Sequence, residues 1–260
     1  MINYSISLIT ICFNSAATIK RTIDSVLSQQ IPFLEYIIID GGSTDGTVNI
    51  VKSYGKAVTI FVSEPDKGIS DAFNKGISLA SGKVIGLINS DDLLLPGAVN
   101  KVLSFFDDHP DVDVLHGDIL LYDDNRFVKK LKPAGRWWYP WRLVLFNHPA
   151  TYVKKSIYMK YGLYKRDYRY AMDDDLYLHW HNAKVNIGYL SEPFVRMQAG
   201  GVSGKYAFKV FAEKRRALIS NGYPMLPATI QYLGRIGVQI IVIADKFLRR
   251  MGTSRRTGNG

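Results

Sequence analysis

Short runs of β-branched and apolar residues at 5–13, 36–40, 58–63 and 84–89 alternate with segments of helical period at 16–29, 47–54, 69–80 and 96–107. This is the pattern of β-α-β units, and it confines the first half of the chain to an α/β architecture: a mostly parallel sheet flanked by helices. Every apolar run stops where polar residues begin. In open α/β sheets ligands bind beyond the carboxyl ends of the strands. Asn14, Asp40-Gly41-Gly42, Glu64-Pro65-Asp66 and Ser90-Asp91-Asp92 are therefore expected along one edge.

Past Val112 the pattern loosens. Strands are expected at 112–121 and 126–131, followed by the aromatic stretch Arg136-Trp137-Trp138-Tyr139-Pro140-Trp141. No Gly/Ser-rich or Pro-rich tract divides the chain and no internal repeat is present, which fits one continuous domain over 1–200. Helical segments near 205–221 and 228–251 form an extension over 201–251, and residues 252–260 read as a disordered tail.

The formal net charge of +10 is unevenly spread. Residues 1–125 carry 8 Lys and Arg against 16 Asp and Glu, net −8, whereas residues 126–260 carry 25 against 7, net +18. An acidic half with paired carboxylates suits a divalent cation, and a basic half with Tyr and Trp suits phosphates or lipid headgroups. Nucleic acid is disfavoured as a partner, because the acidic half would repel a phosphate backbone and no recognised nucleic-acid motif is present. Cys12 is the single cysteine, which excludes an intrachain disulfide and a CxxC zinc site. The first residues lack the basic flank and apolar run of a signal peptide, so no secretion is expected. The longest mainly apolar stretch, Ile236 to Ala244, is far shorter than the roughly 20 residues of a membrane span, and no transmembrane helix is expected.

Two phosphate motifs fail on inspection: Gly76 to Val84 has the wrong spacing and final residue for a P-loop, and no GxGxxG follows the first strand. Asp91-Asp92 closes an apolar run that reads as a buried central strand. Adjacent carboxylates there repel each other, and a hard cation such as Mg²⁺, which binds through one or two carboxylates plus substrate phosphates, relieves the repulsion. A helix cap or solvated turn is the ordinary alternative. Asp173-Asp174-Asp175 heads another helical stretch, where three carboxylates favour the positive end of the helix dipole. One of them, facing a cleft, could instead serve as a general base. His179 and His181, two residues apart on a helix, face away from each other and make no metal site.

Four blocks in order carry a resemblance: Ser7-Leu-Ile-Thr-Ile-Cys-Phe-Asn14, Tyr36-Ile-Ile-Ile-Asp-Gly-Gly-Ser-Thr-Asp-Gly-Thr47, Ser63-Glu-Pro-Asp-Lys-Gly-Ile-Ser-Asp-Ala-Phe-Asn-Lys-Gly76 and Gly86-Leu-Ile-Asn-Ser-Asp-Asp-Leu93. Over about residues 5–200 the chain resembles a family 2 glycosyltransferase with the GT-A fold, of the bacterial polysaccharide-assembly type. The resemblance implies a nucleotide-sugar donor of the UDP-sugar class, Mg²⁺ or Mn²⁺, and transfer with inversion. It implies Thr10 and Asn14 near the nucleotide, Asp40 against the base, Asp91 on the ribose side and Asp92 as the metal ligand. Ser90-Asp91-Asp92 stands where the family carries its DXD motif, so the first position here is not acidic. Lys67 and Asp71 fall in the donor block. The segment Ala171-Met-Asp-Asp-Asp-Leu-Tyr-Leu178 is similar to the one carrying the family's catalytic base, which aligns with Asp173, with Asp174 an adjacent rival. His148 matches a block lining the acceptor side, against the ordinary reading of a structural histidine.

In the basic half, a helix over 228–251 puts Ile230, Leu233, Ile236, Ile240, Ile241, Phe247 and Leu248 on one broad face, with Arg235, Gln239, Lys246 and Arg249 opposite. Residues 228–260 carry six basic side chains and one acidic, net +5, which suits an anionic membrane surface. Packing on the domain or on a second copy is the alternative. The expectation is a cytoplasmic, peripherally membrane-associated enzyme acting on a saccharide or polyprenyl-diphosphate-linked acceptor. A catalytically silent nucleotide-sugar or membrane-binding module and a polyprenyl-phosphate glycosyl synthase are the competing readings.

Overall fold

The computed structural model of the chain describes residues 5–32, 34–133, 146–200 and 206–254. The aromatic stretch Arg136–Trp141 and residues 255–260 lie outside the described residues. The predicted β-α alternation is present. Strands β1 (Ile6–Cys12), β2 (Glu35–Asp40), β3 (Ile60–Ser63) and β4 (Val84–Asn89) alternate with helices α1 (Ile19–Leu27), α2 (Thr47–Ser53), α3 (Ile69–Leu79) and α4 (Ala98–Asp108). Then come the short β5 (Leu93–Leu94), the hairpin β6 (Val114–Asp123) and β7 (Arg126–Leu131), β8 (Thr151–Lys154), α5 (Lys155–Tyr161), α6 (Met172–Asn182) and β9 (Ile187–Gln198). Helices α7 (Ala207–Ser220) and α8 (Met225–Ser254) close the described chain.

These strands form one sheet in the order β3-β2-β1-β4-β8-β6-β9-β5, with β7 paired to β6. The first four are parallel, and polarity reverses between β4 and β8, where Val84 faces Lys154 and Gly86 faces Tyr152. Register aligns the carboxyl ends: Cys12 lies opposite Asp40, Asp40 opposite Ser63, and Ile11 opposite Asn89. The polar clusters that follow β1, β2, β3 and β4 thus share one edge.

Side chains alternate across a strand, and both faces of this sheet are covered. Leu8 and Cys12 pack with Ile19, Ile23 and Val26 of α1 and with Val99 and Phe106 of α4. Ile9 and Ile11 pack on the other face with Phe73 and Ile77 of α3 and with Leu176 and Trp180 of α6. Burial on both faces is why β2 and β4 read as continuous apolar runs.

Residues beyond 200, expected as an extension, pack into the domain: Ala217, Leu218 and Ala228 belong to the same buried cluster as Ile9 and Phe73. Helix α8 is longer at both ends than expected and runs through residues 252–254. Its Met225–Val242 segment has a mean hydropathy of 1.2 over 18 residues, which by length and composition alone suffices to cross a membrane. The expected apolar run, Ile236 to Ala244, begins just after Arg235, whereas this window spans Arg235, because isolated polar residues hardly lower a window average.

Candidate active site

The loop after β2 is built around Asp40. Its carboxylate has no exposed surface and accepts bonds from the amides of Gly42 (3.1 Å) and Ser43 (3.0 Å) and from the hydroxyls of Ser63 (2.7 Å) and Ser43. Burial alone would raise its pKa, but these donors hold it below the usual carboxylate range. Two loops are then stitched together. The Asn14 amide donates to Ser43 Oγ (2.7 Å) and Asn14 Oδ1 accepts from the Thr44 amide (2.9 Å). The Ser15 amide reaches Thr47 Oγ1 (2.8 Å) and the Ala16 amide reaches Asp45 Oδ2 (3.0 Å). Asn14 sits at φ 48°, a left-handed position that asparagine tolerates well. Gly41 admits Asp66 from the β3 loop, because a Cβ there would come within 2.5 Å of Asp66 Oδ2. Phe13 projects from the same edge and is 63% exposed.

The loop after β4 is tied down by Ser15 Oγ against Ser90 Oγ (2.8 Å) and by Thr22 Oγ1, which donates to the Asp92 carbonyl (2.9 Å). Asp92 is only 2% exposed, with Asn89 Nδ2 donating to its Oδ2 (3.0 Å) and the Gln198 amide also reaching it. Burial, then the neighbouring charge of Asp91, pushes its pKa up to about 8. Asp91 is more exposed, and burial raises its pKa too. Neither meets a cationic side chain among the described residues. No three His, Cys, Asp or Glu side chains converge as a closed metal cage among those residues either. Two uncompensated carboxylates suit a hard divalent cation that takes its remaining ligands from water and phosphate oxygens.

Asp173 stands in the first turn of α6, half-buried, with its Oδ1 accepting from the Asp174 amide (2.9 Å). Its neighbours are occupied. Asp174 pairs with Lys214 (2.9 Å), and Asp175 binds Lys165 (3.0 Å), Ser220 and Asn221. The pKa of Asp174 is pushed up to about 7 by burial, which outweighs Lys214. Asp173 lacks a cationic partner among the described residues. His148 lies in the 3-10 turn His148–Ala150 leading into β8, which runs antiparallel to β4 and so begins towards the carboxyl end of β4. The buried Nε2 of His148 has no hydrogen-bond partner among the described residues; burial lowers the ring's pKa and the Asp173 charge opposes that shift.

Three of the residues expected at the donor face inward. Thr10 is fully buried beneath the strand ends, bonded to Tyr36 Oη (3.0 Å), because its side chain points to the α1 face. Asp40 shapes its loop from inside. Asp71 is 5% exposed and held by Arg166 (2.9 Å), Lys75 (3.5 Å) and the Lys67 amide (3.1 Å), so it anchors the start of α3. Lys67 is exposed beside that loop. Sequence reasoning passed over Phe13, whose signal was an aromatic side chain at a strand end, and Glu213 of α7, which carried none.

Residues 7–179 match the family described as Glycosyl transferase family 2. A PGL/p-HBAD biosynthesis glycosyltransferase of Mycobacterium bovis is 28% identical over 97% of this chain and 86% of its own length. Chondroitin synthase of Pasteurella multocida is 41% identical, over 36% of this chain and 10% of its own. Among solved structures, S. aureus TarS 1–349 in complex with UDP-GlcNAc superposes with a TM-score of 0.66 at 17% identity, covering 89% of this chain and 72% of that one. A mannosyltransferase from Pyrobaculum calidifontis in complex with GDP-Man and Mn²⁺ gives 0.64 at 14% identity, over 98% and 81%. These neighbours share its GT-A architecture. The chain belongs to glycosyl transferase family 2 and is a glycosyltransferase.

Proposed function

We propose that the protein transfers a sugar, with inversion, from a nucleotide-sugar to a hydroxyl of a saccharide or polyprenyl-diphosphate-linked acceptor. The observation that carries this reading is the pair Asp91–Asp92 at the end of β4, uncompensated among the described residues, combined with Asp173 as the one member of its triplet lacking a cation among them. The sequence reading made Asp92 the metal ligand. Burial and the Asn89 bond favour the reverse, with Asp91 holding Mg²⁺ or Mn²⁺ and Asp92 supporting it from behind. A bound divalent cation supplies charge compensation for the departing nucleoside diphosphate. The loops of Asn14 and Asp40 hold the nucleotide side, with the Phe13 ring offered to the base and Lys67 near the donor loop. Asp173 takes the acceptor hydroxyl proton as the new bond to the anomeric carbon forms and the bond to diphosphate breaks. A UDP-sugar is the donor class that the motif resemblance implies, and the neighbour S. aureus TarS was solved with UDP-GlcNAc.

Thermal shift with UDP-GlcNAc and GDP-mannose, each with and without Mn²⁺, tests the donor site. The Mn²⁺-dependent shift should vanish in Asp91→Asn, and release of UDP should fall by about 10²-fold or more in Asp173→Asn. Wild-type turnover in both variants would overturn the mechanism.

We also read the protein as a peripheral membrane enzyme of the cytoplasmic face. Leu226, Ile230, Leu233, Val238 and Ile241 of α8 are each more than half exposed. Its Tyr232, Arg235 and Gln239 flank is partly buried towards α7, with Arg235 over Phe211 and Thr229 bonded to Arg215. A helix that turns its polar flank inward and its apolar face outward suits an interface, and the basic residues at its C-terminal end suit anionic lipid. Sedimentation with phosphatidylglycerol vesicles should be lost in Ile230→Glu/Ile241→Glu. Equal binding by wild type and variant would remove this reading.

A further inference from the structure

The N-terminus of α6, which presents Asp173, has no cap of its own: Ala171 offers no side-chain hydrogen bond, and the first turn contains three aspartates. The cap comes from α7. The carboxylate of Glu213 accepts the amides of three successive residues, Arg169 (3.0 and 3.1 Å), Tyr170 (2.7 Å) and Ala171 (3.0 Å). One anion taking three consecutive N–H groups fixes the direction in which the chain enters the helix, two residues before Asp173.

The rest of α7 grips the same segment. Arg216 donates to the Asp167 carbonyl (2.6 Å) and stacks 4.0 Å over the Tyr168 ring, and Ser220 meets Tyr168 Oη (3.1 Å). Lys214 holds Asp174, and Ser220 and Asn221 hold Asp175. These contacts run along residues 167–175 and leave Asp173 between Ala171 and Asp174, both held by α7. The family match ends at residue 179, so the brace lies outside the segment that carries the base.

From this geometry we infer that Glu213 is a positioning residue: it holds residues 169–171 so that Asp173 keeps the alignment needed to accept the acceptor's proton. Lys214 assists by holding Asp174, the nearest competing carboxylate, at 2.9 Å. The inference rests on Asp173 being the base. It gives α7 a part in turnover and none in donor binding, since its contacts are with the base-bearing segment while the donor loops are tied to one another and to α1 and β9.

The test is Glu213→Gln, with Glu213→Asp as the conservative partner, each in the full chain. Glutamine keeps one acceptor oxygen and turns an NH₂ group towards amides that are themselves donors. Hydrogen exchange followed by mass spectrometry should show amides 169–171 exchanging about tenfold faster or more in Glu213→Gln, with a peptide covering 36–47 unchanged. With UDP-GlcNAc and Mn²⁺ as the probe and water as the acceptor, kcat for hydrolysis to UDP and free sugar should fall about tenfold or more while KM stays within about twofold, and Glu213→Asp should recover part of both losses. Unchanged exchange at 169–171 overturns the inference. So does acceleration of both peptides together, which marks a general loss of stability. Asp173→Asn in the same assay separates the two claims. Wild-type turnover there removes the base, whereas the exchange data decide whether Glu213 holds the segment.

Discussion

Asp40→Asn separates two roles for one carboxylate: contact with the donor base, as the resemblance implied, or internal support of the loop, as its burial indicates. In the folded chain Oδ2 accepts two amides and the Ser63 hydroxyl, while Oδ1 accepts the Ser43 hydroxyl. An asparagine can keep its oxygen where Oδ2 stood, but the three bonds there lose their charge assistance. Hydrogen bonds to ionised groups contribute about 1 kcal/mol more than neutral ones, so the substitution should cost about 3 kcal/mol. For a chain of this size that is roughly 6–12 °C in Tm, read by circular dichroism at pH 7. The native pKa is depressed, so the stabilising contribution is present above the unfolded value near 4 and is lost as pH falls through the folded value. The gap between wild type and variant should therefore close below about pH 4. A variant melting within about 2 °C of wild type at pH 7, with nucleotide binding abolished, would refute the internal role.

Asp174 binds a proton more tightly in the folded chain than in the unfolded one, with a pKa of about 7, so its effect on stability has the opposite sign. Metal-free melts should show stability falling as pH rises from about 4 to about 7, and Asp174→Asn should flatten that slope; an unchanged slope would mean that the pair with Lys214 is ionised throughout. Gly86→Ala would set a Cβ 2.7 Å from both Leu8 and Tyr152, and overpacking there should cost about 1–3 kcal/mol, measured as a lower Tm with an unchanged far-ultraviolet spectrum.

The parallel half of the fold was legible because each strand is a short apolar run closed by turn chemistry and each helix a periodic one. The order of the sheet beyond β4 was not, since β8 pairs with β4 and β6 through contacts between residues far apart in the chain. At the site, the chemistry-bearing residue types were legible and their exposure was not. Thr10, Asp40 and Asp71 lie in the family's motif blocks, yet each faces inward because the motif is also what builds the loops. What favours Asp173 over Asp174 as the proposed base is Lys214, forty residues away, and Glu213 acts through backbone amides that leave no mark on the sequence.

The reversal of strand direction between β4 and β8 rests on three rungs, against six between β1 and β4. A seam that narrow is where a protein engineer would cut. The proposed donor loops and the acidic pair come from residues 13–92, and the proposed base, its brace and the outward helix from residues after 146, so a chimera could exchange the second block for a relative's and retain the first. Its main requirements would be three matched rungs, the fit of a ring such as Tyr152 against Gly86, and the packing beneath α3. Sugar choice and destination could then be recombined as separate cassettes.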